Sequence, residues 1–78
     1  MKFCERLREL RKQSSVTQKD IAQQLGIHVV TLQQYERGVR EPNIETLLKM
    51  AILFNVSLDN LLCLEDFKHS HEVFADES

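Results

Sequence analysis

Apolar residues recur along this chain at the three-to-four-residue spacing of a helix, and nowhere alternate as a half-buried strand does. Phe3, Leu7 and Leu10 fall on one face between charged positions and predict an amphipathic helix over 2–12, ended by polar Gln13-Ser14-Ser15. Thr17 precedes the next apolar-periodic run with Asp20 three residues later, the spacing of a capping box. It opens a second helix over about Gln18 to Leu25, with Ile21, Ala22 and Leu25 inward. Gly26 stops that helix, because glycine takes the left-handed conformation without steric cost. A third helix fits 28–37 and ends at Gly38. Stepping 100° per residue, Tyr35 lies beside Leu32 toward the core, while Val30, Gln33, Gln34 and Arg37 share the opposite face. After a turn from Val39 to Pro42, Asn43 caps a helix whose apolar set is Ile44, Leu47, Leu48, Ala51 and Phe54, closed by Asn55. Ser57 caps a short fifth helix carrying Leu58, Leu61 and Leu62. The pattern predicts an all-α domain of five short helices over 1–64. An acidic tail follows over 65–78, in which only Phe67, Val73 and Phe74 are large and apolar.

Size and composition narrow the functions open to such a domain. The 78 residues make one small unit, and 42% hydrophobic with 28% charged residues is the balance of a folded chain, not a disordered one. The longest apolar run, Met50 to Phe54, is far short of the roughly 20 residues a membrane span needs. The first residues have neither an apolar run nor a small-residue cleavage site, so the expected location is the cytoplasm, with no membrane partner. So short a chain struggles to wall a deep pocket beside its own core, and no nucleophile–base or carboxylate pair stands out. The expectation is therefore a protein that is not an enzyme, with no cofactor and no small-molecule ligand. Cys4 and Cys63 are too few for a disulfide framework and lack the paired Cys/His spacing of a zinc site. They read as reduced thiols at the edges of the core. His28, His69 and His71 likewise make no metal site, the last two reading as solvated side chains of the tail.

Charge changes the picture more. The net charge of −2 hides a polarised chain. Residues 1–40 carry Lys2, Arg6, Arg8, Arg11, Lys12, Lys19, Arg37 and Arg40 against Glu5, Glu9, Asp20 and Glu36, a net of +4. Residues 41–64 have a net of −2 (Lys49 against Glu41, Glu45 and Asp59), and residues 65–78 a net of −4 (Lys68 against Glu65, Asp66, Glu72, Asp76 and Glu77). Distribution matters more than the sum to a nucleic-acid partner, and here the positive charge sits with the first three helices.

The spacing inside residues 18–37 explains how those helices would be arranged. Small Ala22 lets two backbones approach, Gly26 turns the chain four residues later, and Ile27 and Leu32 return apolar groups to the same crossing. That is the spacing of a tight helix-turn-helix, whose second helix protrudes and fits a major groove about 12 Å wide. The stretch Thr17-Gln-Lys-Asp-Ile-Ala-Gln-Gln-Leu-Gly-Ile, then Tyr35-Glu-Arg-Gly, Glu41-Pro42, Leu47 to Ala51 and Val56-Ser-Leu-Asp-Asn-Leu-Leu62 resembles the Cro and phage-repressor family of helix-turn-helix regulators. The resemblance runs over about residues 3–64, through several separated motifs in order.

It implies a compact five-helix, lambda-repressor-like DNA-binding domain whose third helix reads bases. By that resemblance Val29, Val30, Thr31, Gln33 and Gln34 hold base-reading positions. Gln18, His28, Arg37 and Arg40 hold backbone-contacting positions, and Arg11 and Glu36 match a structural ion pair tying the first helix to the end of the third. Two departures stand out. His28 replaces the Ser or Thr that usually opens the third helix, weakening its cap or bringing an imidazole to a phosphate. Val29-Val30 replaces polar readers, and valine packs on a thymine methyl group instead of hydrogen-bonding a base edge. With Gln33 or Gln34 pairing to adenine, the expected half-site contains A/T.

The implied partners are double-stranded DNA and a second copy of the chain, bound to a pseudo-palindromic operator. The leucines of the fifth helix and Leu64 exceed what a small core buries, so they are the expected dimer surface, extended by Phe67, Val73 and Phe74. With no second domain in view, repression is expected over activation. The alternatives are an autoregulating antitoxin or restriction–modification controller, and a protein-interaction module that has lost DNA binding.

Overall fold

Three helices of this chain start at a side chain that accepts from an otherwise free backbone N–H, and three stop where the backbone turns left-handed. The structure, a computed structural model, describes the backbone of residues 1–71 and the side chains of residues 1–68. It holds α1 (Phe3–Gln13), α2 (Gln18–Leu25), α3 (Val29–Arg37), α4 (Ile44–Phe54), α5 (Leu58–Leu61) and α6 (Leu64–His71), and no strand among the described residues. Thr17 Oγ1 accepts from the Asp20 N–H at 3.0 Å, Asn43 Oδ1 from the Thr46 N–H at 2.9 Å and Ser57 Oγ from the Asn60 N–H at 3.1 Å. At α1 the bond runs the other way, from the Lys2 N–H to Glu5 Oε1 at 2.9 Å, and it holds the Glu5 carboxyl below its ordinary pKa. His28 opens α3 without any side-chain cap bond.

The C-termini follow one rule three times. Gly26, Gly38 and Asn55 take φ of 73°, 77° and 56°, the left-handed region. The N–H of the next residue, Ile27, Val39 or Val56, then donates back to Ala22, Gln34 or Ala51 at 3.0–3.1 Å. This closure satisfies carbonyls that the helix end would otherwise orphan.

The core draws on five helices: Leu7 and Leu10 from α1, Ile21, Ala22 and Leu25 from α2, Leu32 and Tyr35 from α3, Met50 from α4 and Leu61 from α5. Helix α3 packs on both α1 and α2, while α4 packs on α2 and α5, and α5 on α1 and α6. Ala22, 2% exposed, lies in the crossing of α2 and α3.

Two features depart from the sequence-based expectation. In α4 the fully buried residue is Met50, which the apolar set omitted, whereas Ile44 and Leu48, which it included, are 69% and 47% exposed. Ile44, Leu47, Leu48, Met50, Ala51, Ile52, Leu53 and Phe54 leave this helix apolar around most of its circumference, so periodicity does not select a face. The second departure is α6, in the segment read as tail. Cys63 at φ 55° breaks the chain after α5, and Glu65 and Asp66 sit in the first turn of α6, where carboxylates complement the helix dipole. The Met1 ammonium reaches Asp66 Oδ2 at 2.6 Å and its pKa is raised by that bond. Val73 and Phe74 lie outside the described residues.

Among the described residues one charged side chain is buried. Glu36, 2% exposed, accepts from Arg11 Nε at 2.7 Å and Arg11 Nη2 at 3.0 Å, a two-point guanidinium–carboxylate pair joining α1 to α3. Arg8 donates to the backbone carbonyl of the same Glu36.

Removing one partner of such a pair strands the other, so Arg11→Ala is expected to cost about 3 kcal/mol in urea denaturation, while a loss under 1 kcal/mol would overturn that reading. Conversely, His28→Ser supplies the missing cap of α3 and is expected to raise stability by about 1 kcal/mol in the same assay.

Candidate nucleic-acid interface

Helix α3 is held by one side and offers the other. Leu32 and Tyr35 are buried, at 0% and 6% exposure, and Glu36 is fastened to α1, so the helix cannot roll about its axis without breaking apolar and ionic contacts together. On the outer side Val30 is 57% exposed, Gln33 and Arg37 are exposed and Gln34 is half-buried. Val30 sets an exposed β-branched side chain in the middle of a polar helical face, where it is free to make an apolar contact. Val29 differs from its neighbour. It is half-buried and packs against the core, so of the two valines Val30 is the outward one. Thr31 is half-buried, and His28, Arg37 and Arg40 are exposed.

The glutamines are wired to the buried charge. Gln18 Nε2 donates to Glu36 Oε1 at 3.0 Å, and Gln33 Nε2 donates to Gln18 Oε1 at 3.3 Å. Glu36 only accepts, so Gln18 must turn its NH₂ inward and its oxygen toward Gln33. Gln33 in turn offers its NH₂ to Gln18, leaving its own oxygen for the outer surface. Arg40 Nη1 donates to Gln34 Oε1 at 3.4 Å; since arginine only donates, the Gln34 NH₂ is the end left over. One carboxylate thus sets the direction of the first two amides, and a surface arginine that of the third.

Beside this chain of bonds lies a cleft of about 380 Å³ lined by Arg8, Arg11, Lys12, Gln18, Gln33, Glu36 and Arg37. Four of its residues are basic and its one acid is consumed by Arg11, so the cleft favours an anion. It adjoins the N-terminus of α2, where the dipole is positive and the first N–H groups, at Gln18 and Lys19, have no acceptor within the helix. Sequence spacing around the helix-turn-helix did not single out Arg8 and Lys12. Their signal was available, since Arg8, Arg11 and Lys12 share one face of α1 at i, i+3 and i+4 spacing. Among the described residues no cluster of His, Cys, Asp or Glu is arranged to hold a metal ion, and no helix is long and apolar enough to cross a membrane.

Comparison with known proteins gives this geometry its relatives. The chain is 40% identical over 72 residues, 92% of its length and 57% of the relative's, to the transcriptional regulator ImmR of Bacillus subtilis. It spans about half to three-fifths of the length of the first curated relatives it matches. Its fold superposes on the P22 c2 repressor in complex with a synthetic operator, with a TM-score of 0.76 and 34% identity, covering 80% of this chain and 94% of that one. It also superposes on the restriction–modification controller protein C.AhdI of Aeromonas hydrophila, with a TM-score of 0.71 and 30% identity, covering 77% and 87%. Residues 7–61 match the helix-turn-helix family, and the chain belongs to that family, with Cro and phage-repressor-type regulators among its relatives.

Proposed function

We propose that this chain is a cytoplasmic, non-enzymatic transcription regulator that represses by occupying a pseudo-palindromic DNA operator as a dimer. The observation that carries the reading is the outward face of α3. Val30, Gln33, Gln34 and Arg37 project from a helix locked to the rest of the fold through Leu32, Tyr35 and Glu36. A helix fixed in this way keeps its side chains in register with a groove. In this reading Val30 packs on a thymine methyl group, with Val29 and Thr31 at the edge of the contact, and Gln34 pairs with adenine. The long Arg40–Gln34 bond costs little to give up and releases Arg40 to a phosphate. The basic cleft, with Gln18 at its rim and Arg37 beside it, takes the backbone, and exposed His28 adds a contact at the start of α3. Residues 1–64 supply the binding module, to which α6 is joined through α5 and the Met1–Asp66 bond. The likeness to C.AhdI favours one specific variant, a restriction–modification controller acting on its own promoter.

Selection of bound duplexes from a randomised pool is expected to enrich a two-fold symmetric site with A/T at the contacted positions. Gln34→Ala is expected to lose about 1–3 kcal/mol of discrimination at one base pair of each half-site. Contacted positions made only of G and C, or no enrichment at low salt, would overturn the reading. Affinity is expected to fall steeply with salt, and Arg37→Ala should lower the log–log slope by about 1 for each phosphate no longer neutralised, while leaving sequence preference intact. An unchanged slope with an altered preference would instead move Arg37 to a base.

A further inference from the structure

Arg37 lines two cavities. One is the basic cleft. The other, of about 520 Å³, opens between the start of α1, the end of α3 and the junction of α5 with α6, and shares no residue with the cleft except Arg37. That volume falls in the range of roughly 300–1,000 Å³ occupied by small-molecule sites. Phe3, Tyr35, Leu62 and Phe67 supply apolar walls. Phe67 belongs to α6, so a five-helix domain ending at residue 64 would lack one of them. Lys2, Arg37 and Arg40 stand around the same space, and none of them is in an ion pair among the described residues. Of the two acids there, Asp66 is held by the Met1 ammonium at 2.6 Å, which leaves Glu41 alone against three cations.

We propose that this second cavity binds a small amphipathic acid, an aromatic ring system carrying one carboxylate, and that the bound acid lowers the affinity of the chain for DNA. The apolar walls take the rings, and the carboxylate meets Lys2 and the guanidinium forks of Arg37 and Arg40, whose planar donors suit it. Both halves of the ligand are needed. A bare inorganic anion leaves the four apolar walls wet, and a neutral ring leaves the three cations unanswered. The coupling follows from shared residues. Arg37 and Arg40 are the arginines that the regulator reading gives to phosphates, and a guanidinium engaged by a carboxylate neutralises a phosphate poorly. Arg37 stands between the two cavities, so filling one draws it from the other. By linkage, DNA weakens the acid by the same factor as the acid weakens DNA. This coupling rests on the regulator reading above, whereas the site itself rests only on its walls and charges.

Titration of the ¹⁵N-labelled chain with 2-naphthoate, followed by its amide spectrum at constant ionic strength, tests the site. Shifts are expected at Lys2, Cys4, Gly38 and Leu62, with a Kd of about 1 mM or tighter, while 2-naphthamide and inorganic sulfate leave these amides nearly unmoved. Lys2→Glu is expected to weaken 2-naphthoate by about threefold or more and Glu41→Gln to tighten it by about twofold. The two variants move the constant in opposite directions, which a folding defect cannot do. The bond of Lys2 at the start of α1 uses its backbone N–H and survives the substitution. On a duplex taken from the selection, saturating 2-naphthoate is expected to weaken wild-type binding by about tenfold. Equal shifts with sulfate, equal shifts with 2-naphthamide, or shifts centred on Arg8, Arg11 and Lys12 would each overturn the site. Shifts at the site with an unchanged duplex affinity would overturn the coupling. If no duplex is selected at all, the regulator reading fails and the coupling with it, and the spectra alone decide the site.

Discussion

The buried carboxylate of Glu36 is the constraint on which the rest of this molecule turns. A charge with 2% of its surface in water is tolerable only where donors replace the water, and here three N–H groups do so. They come from two different helices, Arg11 on α1 and Gln18 on α2, while Glu36 itself is on α3. The pair therefore specifies where three helices meet and how far α3 is rotated. Apolar packing of Leu32 and Tyr35 supplies attraction without direction; the carboxylate supplies direction.

That direction reaches the surface through the amides. Gln18 cannot reverse without pointing its oxygen at a carboxylate, and Gln33 takes its orientation from Gln18. The pattern of donors and acceptors facing a groove is thereby tied to a charge in the core, and to the fold surviving intact. On the neighbouring face, α1 contributes Arg8, Arg11 and Lys12 to the anion-favouring cleft. Arg11 works on both sides of this arrangement, neutralising Glu36 and lining the cleft.

The helix-turn-helix was legible because its determinants are local. Thr17, Gly26, Gly38, Asn43, Asn55 and Ser57 each act within five residues of themselves, and each marks a helix end in the structure. The fold class followed from these and from the single apolar stripes of α1, α2 and α3. Helix α4 is the counterexample. Apolar around most of its surface, it could have buried any of several faces, and the one chosen is centred on Met50. The same ambiguity made the fifth-helix leucines look surplus, although Leu61 is entirely consumed. Helix α6 escaped notice because its described side chains hold only Leu64 and Phe67, one i, i+3 step and too short to establish an apolar period.

The sequence by itself determined where helices begin and end, which face of α3 is polar, and that positive charge collects in the first half of the chain. Those properties depend on residue type and on spacings of three or four, which survive without a tertiary fold. Only the tertiary structure decided that Val30 and not Val29 turns outward, that Arg8 and Lys12 join Gln18 around one cleft, how the three glutamines orient, and that Ile44, Leu48 and Ile52 remain uncovered. Each of these depends on groups distant in sequence meeting, as Arg8 and Glu36 do across 28 positions. Such meetings are set by how whole helices pack, and a periodicity measured along one helix carries no record of its neighbours.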